Sequence, residues 1–279
     1  MRRWHHGMIA AALAATLAIP ASPREQQQGY LAPGEFDVTA ILEPAPRPGD
    51  PRYETDRRIF RATRALAGSA RWQLATSDAE LGTRALMRDF SCAVGVQLTP
   101  ETAPHLATVL TRASRDTAAQ TGRAKDAYQR QRPFVIDRGR ICQPSSELYD
   151  SKHGRMSYDY PSGHTTNGWT WALVLASLAP DRAQAILARG RAFGDSRFVC
   201  GAHNESAVEA GMLSATATMA LVATKPDYQS DLAAARAELG QLRAAGPVAV
   251  QGCDAEAALV AQRVMPRLEG KPGPSGRHP

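Results

Sequence analysis

The sequence lacks the features that mark several common classes of protein. None of its four cysteines stands in a C-x2-C pair, and no run of Lys and Arg is interleaved with aromatic residues. The first absence argues against a structural zinc site, and the second argues against a nucleic-acid-binding surface. Strand-like alternation is scarce and no internal repeat is evident, so the apolar spacing that remains predicts an all-α fold.

Apolar runs long enough to cross a membrane are also missing. Residues 8–19 and 165–178 are both apolar, but both are shorter than the roughly 20 residues that span a bilayer. Positive residues precede 8–19 and small residues follow it, which is typical of a secretory signal peptide. We expect residues 1–21 to be removed on export. The mature protein is then periplasmic or secreted, without stable membrane insertion.

The rest of the chain divides by composition. Residues 22–52 are rich in Pro and Gly and predict an extended arm, whereas residues 53–266 show helical spacing almost throughout. Residues 267–279 are again rich in Pro and Gly and predict a disordered tail. A chain of 279 residues, 43% of them hydrophobic, predicts a single domain, here a helical bundle, and leaves a homo-oligomer open.

Net charge indicates the kind of ligand that the mature protein binds, and cysteine number indicates its disulfides. The leader carries two arginines, so its removal lowers the Lys+Arg count from 33 to 31 against 27 acidic residues, a formal charge of +4. This mild excess suits small anionic substrates and no nucleic acid. An even number of cysteines in an exported chain predicts two disulfides. Three pairings are open for Cys92, Cys142, Cys200 and Cys253.

Local signals predict where several helices begin. Thr99 is the expected N-cap of a helix with Pro100 in its first position, and Ser206 with Glu209 has the spacing of a capping box. An apolar helix is predicted over 165–178. The polar segment 137–160 predicts a long loop, and long ordered loops in compact domains commonly serve a site.

Cations and histidines recur at fixed spacings in the second half of the chain. Lys125 and Arg132 form K-x6-R-P, residues 161–164 are P-S-G-H, and Arg197 and His203 belong to S-R-x5-H. A phosphate monoester spreads negative charge over three equatorial oxygens in its transition state. Arg offers a planar fork for two oxygens and Lys a compact charge, each contributing roughly 4 kcal/mol at about 4 Å and an effective dielectric near 20. We therefore predict that Lys125, Arg132 and Arg197 bind phosphate without a metal or other cofactor.

The turn at 161–164 supplies the other parts of a phosphate site. It stands before a predicted helix, so backbone N–H groups and the helix dipole favour an anion there. Gly163 allows close backbone approach and the Ser162 hydroxyl adds a donor. His164 is the predicted general acid for the leaving oxygen, and His203 is the predicted nucleophile. A phosphohistidine would form, and its transfer to another alcohol would give phosphotransferase activity.

These motifs resemble the signature of the superfamily that contains type-2 phosphatidic acid phosphatases, bacterial non-specific acid phosphatases and vanadium haloperoxidases. Segments 124–134, 160–178 and 189–201 look most like the secreted class A bacterial acid phosphatases. The resemblance implies an all-helical, metal-independent periplasmic phosphomonoesterase with broad substrate tolerance and an acidic optimum. It assigns nucleophile to His203 and acid to His164.

One position departs from the family pattern. Where the family has an aspartate that orients the nucleophilic histidine, this sequence has Ala207. Loss of an orienting carboxylate is costly in other histidine-based enzymes. Three functions therefore stay open: an active acid phosphatase with another partner for His203, a catalytically weakened phosphate-binding homologue, and a vanadate-dependent haloperoxidase. On this basis Ala207→Asp is expected to raise turnover.

Overall fold

Helices make up nearly all regular structure in the computed structural model of this chain, which describes residues 28–246 and 250–267. The prediction of an all-α fold is confirmed, with one two-residue antiparallel hairpin, β1 (Tyr149–Asp150) and β2 (Arg155–Met156), in the described part of the long loop. The helices are α1 (Pro51–Thr63), α2 (Ala70–Ser77), α3 (Thr83–Val94), α4 (Pro104–Tyr128), α5 (Pro133–Ile136), α6 (Gly163–Leu178), α7 (Ala183–Cys200), α8 (Glu205–Val222), α9 (Pro226–Ala244) and α10 (Cys253–Ala261).

Helix α6 lies at the centre and packs against α4, α7 and α8. Its Trp171 and Leu175 join Phe193 of α7 in the main apolar core, where all three are almost fully buried. Two glycines bring α6 and α7 close together. A Cβ on Gly168 of α6 would lie 2.3 Å from the Phe193 ring, and a Cβ on Gly190 of α7 would lie 2.4 Å from a side-chain carbon of α6. This close packing matters for the site, because both helices carry motif residues.

Two predicted helix starts are wrong. The helix expected at Pro100 begins at Pro104, because the Thr99 hydroxyl accepts from the N–H of Thr102 and closes a separate turn. The capping box is also absent: α8 begins at Glu205, and the Ser206 hydroxyl donates to a distant carboxylate, Oδ2 of Asp56, at 2.5 Å. In both cases a tertiary or alternative local bond takes the group that the sequence pattern assigned to a cap.

Two disulfides resolve the pairing that the sequence left open. Cys92 pairs with Cys253, which ties α10 to α3, and Cys142 pairs with Cys200, which ties the long loop to the end of α7. The second bond lies three residues before His203. Closing loops of 161 and 58 residues restricts the unfolded chain and so stabilises the fold.

The predicted arm is only partly extended. Its described part, from residue 28, contains the 3-10 turn Val38–Ala40 and packs on α4, where the N–H of Val38 donates to Oε1 of Gln120. The helical part begins two residues earlier than predicted, at Pro51. The predicted signal peptide lies outside the described residues, as does all but the first residue of the predicted tail. Among described helices, no single one is long and apolar enough to cross a membrane; α8 and α9 meet that test only as a pair bent by 100°.

Candidate active site

Four of the seven predicted site residues line one cavity of about 470 Å³ bordered by α3, α4 and α6. Lys125 near the end of α4, Arg132 at the start of α5, and Gly163 and His164 at the start of α6 all line it. His203 is buried beside them, with its ring centroid 6.5 Å from that of His164. Residues from distant stretches of chain therefore lie close together in the fold, and their shared role in catalysis stays a prediction.

The two ring nitrogens of His203 have different partners. Arg132 Nη1 lies 3.0 Å from Nε2, and a guanidinium can only donate, so Nε2 must carry a lone pair. The backbone carbonyl of Asp159 lies 2.7 Å from Nδ1 and can only accept, so Nδ1 must carry the proton. These contacts select the tautomer whose Nε2 carries the lone pair. Arg132 donates to that lone pair, so Nε2 can attack an electrophile once this hydrogen bond is released.

Asp159 is the site residue that sequence reasoning missed. Its carboxylate Oδ1 lies 3.0 Å from His203 Nδ1, in addition to the carbonyl contact. The neighbouring Asn204 donates to both carboxylate oxygens, from its backbone N–H at 3.1 Å and from Nδ2 at 2.8 Å. The available signal was an acidic residue two positions before the P-S-G-H turn, but no local pattern links position 159 to position 203.

Arg132 and Arg197 are both buried, but they differ in how their donors are used. Arg132 donates to the carbonyls of Ser157 at 2.7 Å and Ala202 at 2.8 Å, which fixes its orientation. Arg197 donates Nη2 to Gln143, while its Nε and Nη1 have no partner within the described residues. Burying cationic donors without partners is costly, and a bound anion would remove that cost. The unpaired donors of Arg197 are therefore what an anion-binding residue is expected to have.

The electrostatics of the site also favour an anion. Burial, reinforced by the neighbouring cations, lowers the pKa of Lys125 to about 7 and that of Arg197 to about 9. Burial likewise lowers the pKa of Arg132 to about 10. A bound phosphate would bring negative charge to these groups and favour their protonated forms, with the largest effect on Lys125.

A backbone carbonyl fixes the orientation of the His164 ring. Its Nε2 lies 3.0 Å from the carbonyl of Ala79, so Nε2 carries a proton and Nδ1 is the other titrating nitrogen. Burial, followed by repulsion from Arg197, lowers the pKa of His164 well below its usual value. Burial and then Arg132 do the same for His203. Both rings are therefore neutral near pH 7 until an anion enters.

The motif serine Ser196 supports His164 indirectly. Its hydroxyl donates to Oδ2 of Asp78 at 2.5 Å and accepts from Arg71 at 2.9 Å, both fully buried. Asp78 immediately precedes Ala79, the residue whose carbonyl meets His164. This buried network therefore fixes the segment that orients the predicted acid.

Ser162 is the N-cap of α6. It is fully buried, and its hydroxyl accepts from the N–H of Thr165 at 3.3 Å and from the Thr165 hydroxyl at 3.0 Å. Both contacts use Ser162 as an acceptor and leave its own proton unassigned, so its donation to phosphate stays a prediction. Gly163 does line the cavity, and a Cβ there would meet only a Thr121 methyl carbon at 3.6 Å, so packing alone does not explain the glycine.

Comparison with known proteins gives a consistent result. Residues 105–231, which span most of the motif residues, match the model of the PAP2 superfamily. The acid phosphatase of Zymomonas mobilis is 40% identical over 237 residues, covering 85% of this chain and 88% of that protein. The non-specific acid phosphatase of Salmonella typhimurium is 39% identical over 220 residues, covering 77% of this chain and 85% of that protein. The chain therefore belongs to the PAP2 superfamily and, within it, to the acid phosphatases, which are phosphoric monoester hydrolases.

Proposed function

We propose that this protein is a metal-independent acid phosphatase that hydrolyses phosphate monoesters through a phosphohistidine on Nε2 of His203. The observation that carries the proposal is the His203 tautomer, with a lone pair on Nε2 at 3.0 Å from Arg132 Nη1. A phosphate bound by that guanidinium would have its phosphorus within reach of the lone pair. His164 stands on the same cavity, where it can serve the leaving oxygen.

The reaction would proceed in two balanced steps. In the first, Nε2 of His203 attacks phosphorus, the bond to the ester oxygen breaks, and protonated His164 gives its proton to the departing oxygen. In the second, now-neutral His164 takes a proton from water, the water oxygen attacks phosphorus, and the N–P bond breaks. Lys125, Arg132 and Arg197 would balance the negative charge throughout. An alcohol that replaced water in the second step would make the enzyme a phosphotransferase.

The alternatives receive less support. A catalytically weakened homologue was suggested by the alanine at position 207, but a carboxylate from Asp159 lies 3.0 Å from His203 Nδ1. Vanadate-dependent haloperoxidase activity has no specific observation in its favour, and the relatives described above carry the name acid phosphatase. Small phosphate esters are accordingly the proposed substrates.

Export to an oxidising compartment is part of the same proposal. Both disulfides, Cys92–Cys253 and Cys142–Cys200, need such a compartment to form and persist. The predicted leader over residues 1–21 would deliver the chain there. We therefore propose a periplasmic or secreted protein.

Turnover of p-nitrophenyl phosphate is expected to resist EDTA, because the buried Arg132 and Arg197 and the partly buried Lys125 would supply positive charge in place of a metal ion. The purified protein would be assayed before and after extended dialysis against chelator. Loss of activity that returns when a divalent ion is added would contradict metal independence.

Transfer of phosphate to glycerol tests the phosphohistidine intermediate. If both substrates form the same phosphoenzyme, p-nitrophenyl phosphate and phenyl phosphate give the same ratio of glycerol phosphate to free phosphate. A ratio that depends on the leaving group would argue for direct attack by water.

The catalytic efficiency is expected to fall as the pH rises through neutrality. Burial, with Arg132 nearby, lowers the pKa of Lys125 to about 7, so the free enzyme loses one of its three phosphate-binding cations above that pH. The pKa of His164 is lowered by burial and Arg197, so its acid form also becomes scarcer as pH rises. Both effects have the same sign. A profile of kcat/KM from about pH 4 to 9 checks this, and a value that keeps rising above about pH 7 would contradict it.

A further inference from the structure

We infer that Asp159 is the positioning residue for His203 and stabilises the positive charge that forms on its ring during phosphoryl transfer. This inference rests on the proposed function, since it assigns a role within that reaction. It also explains how His203 is oriented without an aspartate at 207, because the orienting carboxylate comes from the segment before α6 instead of from α8.

The contact geometry suits this role. Asp159 and His203 are both almost fully buried, and Asp159 presents two acceptors to the same N–H, its carbonyl at 2.7 Å and Oδ1 at 3.0 Å. The carbonyl alone would select the tautomer. The carboxylate adds a negative charge next to a ring that becomes cationic once Nε2 bonds to phosphorus, since Nδ1 keeps its proton. Orientation and charge stabilisation therefore come from one residue.

The carboxylate is itself held in place. Asn204, directly after His203 in the chain, donates to both of its oxygens. Arg130 Nε lies 3.6 Å from Oδ2, and the same guanidinium donates to Asp56 at 2.8 Å and to Ser206 at 2.6 Å. A buried row of alternating charge thus leads from α1 to the predicted nucleophile. A side chain so constrained can position another, whereas a mobile one could not.

The surroundings of Ala207 explain why a second acid there is not needed. Ala207 is fully buried and packs in an apolar cluster with Tyr160, Ala124 and Ala210. Its carbonyl accepts from the N–H of Ser162 at 2.9 Å. An aspartate at 207 would bury a further negative charge among apolar groups. It would also gain no free donor, because Nδ1–H of His203 already donates to Asp159. The expectation that Ala207→Asp raises turnover is therefore replaced by its opposite.

Charge around His203 makes the contribution of Asp159 measurable. The charged groups that surround the ring are mostly positive, and these cations act against an imidazolium. They are Lys125, Arg132 and Arg197, with the His164 ring nearby and the Asp159 carboxylate at 3.0 Å from Nδ1. Removing the nearest negative charge should lower the pKa of His203 further. Because His203 must be neutral to attack, the acidic limb of the rate profile should move to lower pH.

The test compares kcat, KM and the pH profile of wild type, Asp159→Asn and Asp159→Ala with p-nitrophenyl phosphate. We expect kcat to fall about 10- to 100-fold in each, with KM changed by less than about threefold, because the lost interaction strengthens during the reaction. The acidic limb should shift downward, which a merely structural role would not cause. Asp116→Asn is the matched control: this buried carboxylate accepts from the N–H groups of Tyr30 and Leu31, away from the site, and its kcat should stay at the wild-type value.

The outcomes separate this inference from the proposed function. If wild type is active and His203→Ala is not, but folded Asp159→Asn keeps kcat within about threefold, the inference alone is overturned. If wild type does not hydrolyse phosphate esters at all, the proposed function fails first. Thermal unfolding and binding of inorganic phosphate show whether each variant is folded. Ala207→Asp gives a second answer that does not depend on the Asp159 variants folding: a clear rise in kcat would mean that the acceptor position was empty.

Discussion

His203→Ala is expected to lower kcat by at least about 10⁴-fold, the scale seen when a covalent nucleophile is removed. The variant loses the imidazole lone pair that lies 3.0 Å from Arg132 Nη1. Its cations remain, and Arg132 keeps its bonds to the carbonyls of Ser157 and Ala202. Inorganic phosphate should therefore still bind with an affinity near that of wild type. Loss of turnover with retained phosphate binding is the signature of a missing nucleophile.

A second histidine provides the control for this experiment. His153 lies in the loop between β1 and β2, where its half-exposed ring meets Asp150 at 2.8 Å. His153→Ala should leave kcat within about twofold of wild type, as expected for a surface substitution. Steady-state kinetics and phosphate binding by calorimetry would be measured on both variants. Turnover by His203→Ala within about tenfold of wild type would mean that another group attacks phosphorus.

Arg197→Met is expected to lower kcat/KM by about 10²- to 10³-fold without lowering the melting temperature. The loss follows from removing roughly 4 kcal/mol of attraction between a guanidinium and phosphate in a partly screened site. Stability should be kept because Arg197 is fully buried with two N–H groups unpaired among the described residues, and burial lowers its pKa to about 9. An apolar side chain of similar length removes that desolvation cost.

Arg189 is the contrasting residue on the same helix. It is equally buried, but it is paired: Nη2 lies 2.6 Å from Asp78 Oδ1 and Nε lies 3.1 Å from Glu256 Oε1. Arg189→Met should lower the free energy of unfolding by about 3–5 kcal/mol, because it leaves buried Asp78 without its cation. Thermal and urea unfolding of the two variants measure the difference. If Arg197→Met were destabilised as much as Arg189→Met, Arg197 would be a structural residue instead of an anion-binding one.

Arg197→Lys adds a test of geometry. Lysine keeps the charge but cannot present the planar fork, so it should recover only part of the lost kcat/KM. Full recovery would show that charge alone suffices at this position. The same measurements with a small panel of phosphate esters would show whether the loss depends on the leaving group.

The sequence alone predicted the all-α fold, and its motifs named the candidate site residues. Helical spacing over residues 53–266 was enough for the all-α prediction, because apolar periodicity reports which face of each segment is buried. The fixed gaps among Lys125, Arg132, His164 and His203 predicted a shared site. The first three of these residues line one cavity, and the His203 ring lies 6.5 Å from that of His164, while their joint role in catalysis stays a prediction. A motif is a pattern of residue types and spacings along the chain, so the chemistry that it indicates can be predicted from the sequence.

Tertiary structure decided which groups those residues meet. Asp159 is 44 residues away from His203 along the chain, yet its carboxylate lies 3.0 Å from the ring, and nothing local joins the two positions. The disulfide partners, the capping role of Ser162 and the bond of Ser206 to Asp56 were likewise settled by packing. A hydrogen bond or disulfide needs two groups within a few ångströms. Helix packing sets that distance, while position in the sequence does not.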